Sequence, residues 1–355
     1  MPTFQCAVAR YHLVVEAMRL LFIKLKHIGD SLLLTPTLTA ARAKYPQAQI
    51  WVVVRRGCEG VLHGCAAIDR VLTSAEPEAE RRAAFTWLAD LRLMRELQRQ
   101  RFDYAFELTD GDRGRFLAWS SQAHQRCANV ALQPLSWWWR SKFNGQSSFN
   151  WMQGHRVEKD YYTVNDFLPL GPDIPPLAFA KEQTNPWPAG EALGNFVVIH
   201  PGTRWIRKRW PQAKWIELGS ELLAHFPNLV VSVGPDREEV AMAEAIVKEL
   251  GSAALSTGGK LSWAQLAWLL YRARMFVGVD TAAMHLAAAC QCPTVAIFGP
   301  SVEGQWRPWS VPHRIVKPVG TAENGGRETS ILRVPTAEVL AACGELLLAA
   351  PAKAL

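Results

Sequence analysis

The chemistry-bearing residues of this chain gather in short turns rather than along helices. Gly29-Asp30 follows an apolar run and opens a helical pattern. That sets a carboxylate at the carboxyl end of a strand, beside a glycine that permits a tight turn. Asp30 is therefore a candidate general base, although the same placement describes a plain helix cap worth about 1 kcal/mol. With one glycine and no G-x-G-x-x-G, the dinucleotide fingerprint is missing. The segment His200-Pro201-Gly202-Thr203-Arg204-Trp205-Ile206-Arg207-Lys208-Arg209-Trp210-Pro211 places four cations within six residues, next to a small-residue turn at Thr203. Phosphate binding needs both features, close backbone approach and fixed positive charge; a solvated basic loop is the competing reading. Gly278-Val279-Asp280-Thr281-Ala282-Ala283-Met284-His285 is a strand end that runs straight into a helix. Backbone N–H groups and the helix dipole favour an anion such as a diphosphate there. Asp280 or Thr281 can equally cap that helix, and a lone helical histidine such as His285 is often structural. Gly299-Pro300-Ser301 is a further strand-to-loop turn of the same kind.

Two other clusters are less specific. Thr109-Asp110-Gly111-Asp112-Arg113-Gly114-Arg115 contains an Asp-x-Asp pair that resembles the metal-binding pair of metal-dependent sugar transferases. Asp-Gly is also an ordinary turn signal, and no metal is expected here. The stretch 113–157 has no Asp or Glu. It carries Arg113, Arg115, Arg126, Arg140, Lys142 and Arg156 among Trp119, Trp137, Trp138, Trp139, Phe143, Phe149 and Trp151. Basic residues interleaved with aromatics suit a phosphorylated glycolipid at a membrane surface, or single-stranded nucleic acid. A Trp-rich core edge with a solvated basic face is the plainer alternative.

The elements that must hold these turns alternate strand and helix. A buried strand is expected over 20–25, an apolar helix from 31 to about 44, and a second strand over 50–54; strand, helix, strand at this spacing makes the sheet parallel. Further strands are expected at 71–72 and 104–108, with a helix over 82–100. Pro169, Pro172, Pro175, Pro176, Pro186 and Pro188 then crowd one stretch. Proline removes a backbone donor and fixes φ, so this stretch reads as linker. Beyond it the alternation resumes, with strands over 196–199, 229–233, 275–279 and 294–298 and helices near 213–225, 237–250, 262–272 and 282–290. The expected fold is α/β, with two Rossmann-like doubly wound domains whose ligands lie at the carboxyl ends of the strands. The expected division is an N-terminal extension over 1–17, a first domain over 18–170, a linker over 171–190, a second domain over 191–335 and a C-terminal helix over 336–355. Residues 1–17 do not share the strand-helix pattern of the first domain, and Met18 is a candidate true start.

The whole-chain figures agree with a globular protein of about two domains: 355 residues, 49% hydrophobic and 20% charged. The net charge of +7 and pI near 9.1 favour acidic partners without choosing among phosphates, nucleic acid and anionic lipid. Residues 1–180 hold 22 basic against 17 acidic side chains, and residues 181–355 hold 17 against 15, so most of the excess lies in the first half. No apolar run reaches the roughly 18 residues of a membrane span, and no signal-peptide pattern opens the chain. Seven cysteines, without C-x-x-C spacing, point to reduced thiols in a cytoplasmic protein.

Taken together, the motifs resemble the ADP-heptose:lipopolysaccharide heptosyltransferases, glycosyltransferase family 9. The matching residues are Lys24-Leu25-Lys26-His27-Ile28-Gly29-Asp30 with Thr35-Pro36, Lys208-Arg209-Trp210-Pro211, Gly234-Pro235-Asp236, the 278–285 segment, Phe298-Gly299-Pro300 and Trp306-Arg307-Pro308-Trp309. They run in order from about Met18 to about Val316. The opening motif, the Thr109–Gly114 loop and the Trp-Arg-Pro-Trp element look most like the branch that adds the third, side-branch heptose of the inner core. The resemblance implies a GT-B architecture with a metal-independent, inverting transfer from ADP-heptose to the inner core of lipopolysaccharide, and no cofactor. It implies Asp30 as base, Lys208 as the donor-phosphate lysine, and a donor site of Thr203, Arg204, Asp236, Asp280, Thr281, Ala282 and His285. Ala282 stands where relatives often have Gly. Arg113 and Arg115 are expected to meet the acceptor, with peripheral contact at the inner face of the inner membrane. The last helix is expected to pack back toward the N-terminal domain. The alternatives are a GT-B enzyme for another nucleotide-sugar, and a non-catalytic phosphate- or nucleic-acid-binding protein.

Overall fold

The first strand, β1 (Arg19–Lys24), is buried at every position but its first, as a run of Leu-Leu-Phe-Ile demands when both faces of a sheet are covered. It lies at the centre of a six-stranded, all-parallel sheet with β2 (Gln49–Arg55), β3 (Arg70–Ser74), β4 (Tyr104–Glu107), β5 (Gln125–Asn129) and β6 (Gly145–Ser147). The order is β3-β2-β1-β4-β5-β6. The second sheet, β7 (Phe196–His200), β8 (Asn228–Val231), β9 (Ala254–Ser256), β10 (Phe276–Val279), β11 (Thr294–Ile297) and β12 (His313–Val316), is also all parallel, in the order β12-β11-β10-β7-β8-β9. Each sheet has its topological switch point beside its domain's first strand, β1 or β7, where a crevice for ligands opens. This computed structural model describes residues 17–75, 86–152, 154–181, 184–318 and 330–349. The expectation about an N-terminal extension falls almost wholly outside them.

Helices bind the sheets in three apolar layers. One continuous core joins the two lobes, running from Leu20, Phe22 and Leu38 to Leu269, Met284 and Leu286. A second core covers the far face of the second sheet, and a third, with Trp139 and Phe143, covers the far face of the first. The helix expected from 31 to 44 is two helices, α1 (Ile28–Leu33) and α2 (Thr35–Lys44). Pro36 has no N–H to give the carbonyl of Leu32, and the Thr35 hydroxyl takes that acceptor instead at 2.8 Å. The helix expected over 82–100 is described from its residue 86 as α3 (Thr86–Arg99). The stretch 113–157 contains regular elements. It holds α4 (Asp112–Ser120), β5, α5 (Trp137–Arg140) and β6, and leads into α6 (Arg156–Asn165).

In the second lobe α7 (Gln212–Leu223), α8 (Arg237–Leu250), α9 (Trp263–Arg272), α10 (Ala282–Ala289) and α11 (Glu303–Trp306) separate the strands. The last helix, α12 (Thr336–Ala349), does not return to the N-terminal domain. It packs on β11, β12 and α7 of its own lobe, burying Val339, Cys343 and Leu346 in the second core. The buried Val339 and Leu346 side chains each contribute about 1.5–3 kcal/mol. The proline-rich stretch is tied to both lobes. Ala178 N donates to the Thr35 hydroxyl at 3.1 Å, while Trp309 Nε1 donates to Pro175 O and Tyr271 OH to Phe179 O.

Candidate active site between the lobes

The two strand-to-helix turns that stood out in the sequence face each other. A Cβ added to Gly29 on α1 would lie 3.1 Å from His285 Cδ2 and 3.6 Å from Ala282 Cα on α10. A side chain at this position would press on the His285 ring, so glycine suits the close approach of the two helix starts. Asp30, in the first turn of α1, accepts the His27 N–H at 3.3 Å and is half-buried. It acts as a cap and stands at the gap at once.

Behind Asp30 lies a group of buried charges. Lys24, the last residue of β1, donates to both carboxylate oxygens of Asp160 on α6, at 2.8 and 2.7 Å, with both side chains almost wholly out of water. Burial pulls the Lys24 ammonium down, but Asp160 and Asp30 more than offset this, so its pKa is raised. Burial also raises the Asp160 pKa, against the pull of Lys24 and Lys159. The residue before Asp160, Lys159, is ion-paired with Asp110, which holds a left-handed φ of 61° in the loop after β4. Glu107, at the end of β4, accepts the N–H groups of Thr109 and Asp110 at 2.8 and 3.3 Å. Burial, with the Asp110 charge adding, raises its pKa to about 7. The Asp-x-Asp pair is therefore matched by the protein's own cations, Asp110 by Lys159 and Asp112 by Arg115 at 3.1 Å. Among the described residues no three His, Cys, Asp or Glu gather as a metal-ligand set.

The second lobe presents different chemistry. Lys208 donates to the Asp280 carboxylate at 2.5 Å and to its carbonyl at 3.3 Å. Asp280 directly follows β10 and is buried. The next residue, Thr281, takes the extended conformation that starts α10, but its hydroxyl caps nothing. The Thr281 Oγ1 and His285 Nδ1 atoms are buried without any hydrogen-bond partner. Burial lowers the His285 pKa, keeping the ring neutral. Two unsatisfied polar atoms at one helix start, with a lysine beside them, suit an anionic ligand. Thr203 is buried, and its hydroxyl accepts from Trp205 N at 3.3 Å; the Arg204 guanidinium lies over the Trp205 ring. Arg209 is paired with Glu238 at 2.7 Å.

Some residues behave otherwise than the sequence suggests. Asp236 caps α8, accepting from Glu238 and Glu239 N–H groups at 3.0 and 3.3 Å. The carboxylate beneath the donor turn is Glu239: it accepts Gly234 N–H at 3.0 Å, and its oxygen would lie 2.4 Å from a Cβ on Gly202. The Asp236-x-x-Glu239 spacing of a capping box was the available signal. Arg113 donates to Asp90 on α3 at 2.6 Å, and Arg115 is buried, so neither stands open at the gap. Arg156 lies there instead. Its guanidinium sits between the Trp151 ring, 4.0 Å away, and the Trp306 ring, 5.1 Å away, and donates to Gln305 Oε1 at 3.1 Å. The neighbouring His155 bonds the Arg307 carbonyl at 2.9 Å, and its ring lies tilted against Trp309 with centroids 4.8 Å apart. Burial drives its pKa to about 3, so the ring is neutral and Nε2 donates, because Nδ1 accepts from Val157 N–H. The Trp-Arg-Pro-Trp element thus joins the lobes.

Two doubly wound lobes of equal strand order, facing across a gap lined by the carboxyl ends of their central strands, form the GT-B arrangement of glycosyltransferases. The chain belongs to glycosyltransferase family 9 (heptosyltransferase), whose family model matches residues 91–330. It is 27% identical over 338 residues to lipopolysaccharide heptosyltransferase 3 of Escherichia coli, covering 90% of this chain and 96% of that one. Among solved structures, the glycosyl transferase family 9 protein of Veillonella parvula superposes with a TM-score of 0.81 at 18% identity, covering 94% of this chain and 98% of that one. The E. coli heptosyltransferase WaaC with ADP superposes with a TM-score of 0.77 at 20% identity, covering 93% and 100%. The protein is a glycosyltransferase, and the alternative of a non-catalytic binding protein is set aside. No helix among the described residues is long and apolar enough to cross a membrane.

Proposed function

We propose that this enzyme moves heptose from ADP-heptose to the inner core of lipopolysaccharide, adding the side-branch heptose, at the cytoplasmic face of the inner membrane. Family membership and the likeness to a heptosyltransferase 3 support the reading. The observation that carries it is the pairing across the gap: a carboxylate, Asp30, opposite a helix start with an adjacent lysine and two unsatisfied polar atoms.

The donor's diphosphate would lie at the start of α10, on the N–H groups of residues 282–284 and the helix dipole, with Thr281 and His285 meeting its oxygens. Lys208 would leave Asp280 for the β-phosphate, while Thr203 and Arg204 frame the entrance. Asp30 takes the proton of an acceptor hydroxyl as that oxygen attacks the anomeric carbon. The new C–O bond forms on the face opposite the bond that breaks, so the centre inverts and ADP departs. General-base help contributes about 10²–10⁴ in rate, and the preset cation and amides take up charge developing on the leaving diphosphate. The protein itself thus supplies the positive partners that a metal-independent transfer needs. The test is incubation with ADP-heptose and defined truncated lipopolysaccharides, with linkage analysis of the product. Thermal shifts with ADP, UDP, GDP and CMP check the nucleotide; stabilisation by UDP rather than ADP moves the enzyme to another donor.

A further inference from the structure

The aromatic residues of 113–157 divide by burial. Trp139 and Phe143 fill the outer core of the first sheet, whereas Phe116, Trp119, Trp138 and above all Trp137, which is 84% exposed, stand in solvent. Ring contacts connect the two groups. Phe143 meets Trp139 at 6.1 Å, Trp139 meets Trp138 at 4.5 Å, Trp138 meets Trp119 at 5.8 Å, and Trp119 meets Phe116 at 5.4 Å. The series starts in the core and ends as an exposed shelf on α4 and α5. The shelf is anchored, because Trp139 Nε1 donates to Asp112 at 2.8 Å. Cations surround it. The Lys142 ammonium lies over the Trp119 and Trp138 rings, at 5.9 and 5.6 Å. Arg140 is exposed at the end of α5, and Arg126 donates to the Lys142 carbonyl. Asp112, which reaches the shelf through Trp139, is already matched by Arg115.

We propose that this shelf docks the enzyme on an anionic phospholipid bilayer. Tryptophan rings settle at the headgroup level, with an apolar body toward the acyl chains and a polar edge toward water. Basic residues within a few ångströms are drawn to anionic headgroups, and no acidic residue interrupts 113–157. A single strand of nucleic acid would need open ring faces for its bases to stack; here Lys142 covers two of them. The shelf belongs to the lobe that carries Asp30, so docking would place the proposed acceptor lobe against the surface in which a lipid-linked acceptor is anchored. Only that purpose rests on the proposed function, since docking is measured with neither substrate present.

The full chain is sedimented with vesicles of phosphatidylglycerol and phosphatidylethanolamine, and with vesicles of phosphatidylcholine alone. Binding is expected to the anionic vesicles only and to weaken with salt. Trp137→Ser with Trp138→Ser should lower it by about tenfold or more, and Arg140→Glu by about tenfold. Thermal midpoints should hold for Trp137→Ser and Arg140→Glu alone, and transfer to a deacylated, water-soluble acceptor should be unchanged. Equal binding to phosphatidylcholine, or variants that bind as the parent does, would overturn the proposal. So would a self-association that Trp137→Ser abolishes without any change in vesicle binding, because the shelf would then be a protein interface. Loss of transfer from ADP-heptose with intact docking would instead sink the functional reading alone.

Discussion

The two lobes repeat one strand order yet end their central strands in opposite electrical conditions. In the amino-terminal lobe the charges behind Asp30 are matched internally, Lys24 with Asp160 and Lys159 with Asp110. In the carboxyl-terminal lobe one ion pair, Lys208 with Asp280, lies beside a hydroxyl and an imidazole nitrogen that have no partner. A shared topology therefore fixes where a site lies but not what it does. One lobe surrounds a carboxylate with paired charges, and the other leaves a hydroxyl and an imidazole nitrogen unpartnered at the helix start proposed to seat the donor diphosphate.

Substitutions on either side test this contrast. The largest effect is expected at Asp30: Asp30→Asn should lower kcat by about 10²–10⁴ while ADP affinity, measured by calorimetry, stays near the parent value. If turnover survives, the amino-terminal lobe does not supply the base. Next is the internal pairing. Lys24→Met removes the hydrogen-bonded cation of the buried Asp160 and should cost about 3–5 kcal/mol in denaturant unfolding, with much of that loss recovered in Lys24→Met/Asp160→Leu. A cost below about 1 kcal/mol, the range of exposed pairs, would mean the pair is not desolvated. Third, Glu107 binds its proton more tightly folded than unfolded, so its share of stability is complete below about pH 4.5 and is lost as pH rises through about 7. Glu107→Gln should flatten that decline, a change of at most about 3 kcal/mol read from thermal midpoints across pH. A decline of unchanged slope would assign it elsewhere. The smallest effect is expected in the other lobe, where Lys208→Met should lower kcat/KM for the nucleotide-sugar about 10–100-fold, the range of one charge-assisted hydrogen bond, and spare the acceptor KM. Equal effects on both would erase the division between lobes.

The sequence made the frame legible where apolar runs, glycine turns and helix patterns agree, as in β1, β7, β10 and α8. It placed Asp30, Lys208 and Thr281 at turns and His285 in the first turn of a helix, and the fold brings α1 and α10 together. What it hid was long-range. Asp160 meets Lys24 across 136 residues, and no local pattern marks a carboxylate as buried. Arg156 has an ordinary helical spacing, and its place between Trp151 and Trp306 exists only once the lobes meet. The break between α1 and α2 could have been read from Pro36, which removes an N–H within an otherwise helical run.

Both sheets contain only parallel neighbours, and this bears on how the chain reaches its final form. No two adjacent strands can zip up as a hairpin; each must wait for the intervening crossover to be traversed. Chains of this kind gain their contacts late and fold slowly, so strand edges stay exposed to other molecules for longer. The three-residue strands β6 and β9 each stand at the rim of a sheet, where a short edge offers little for a stray chain to copy.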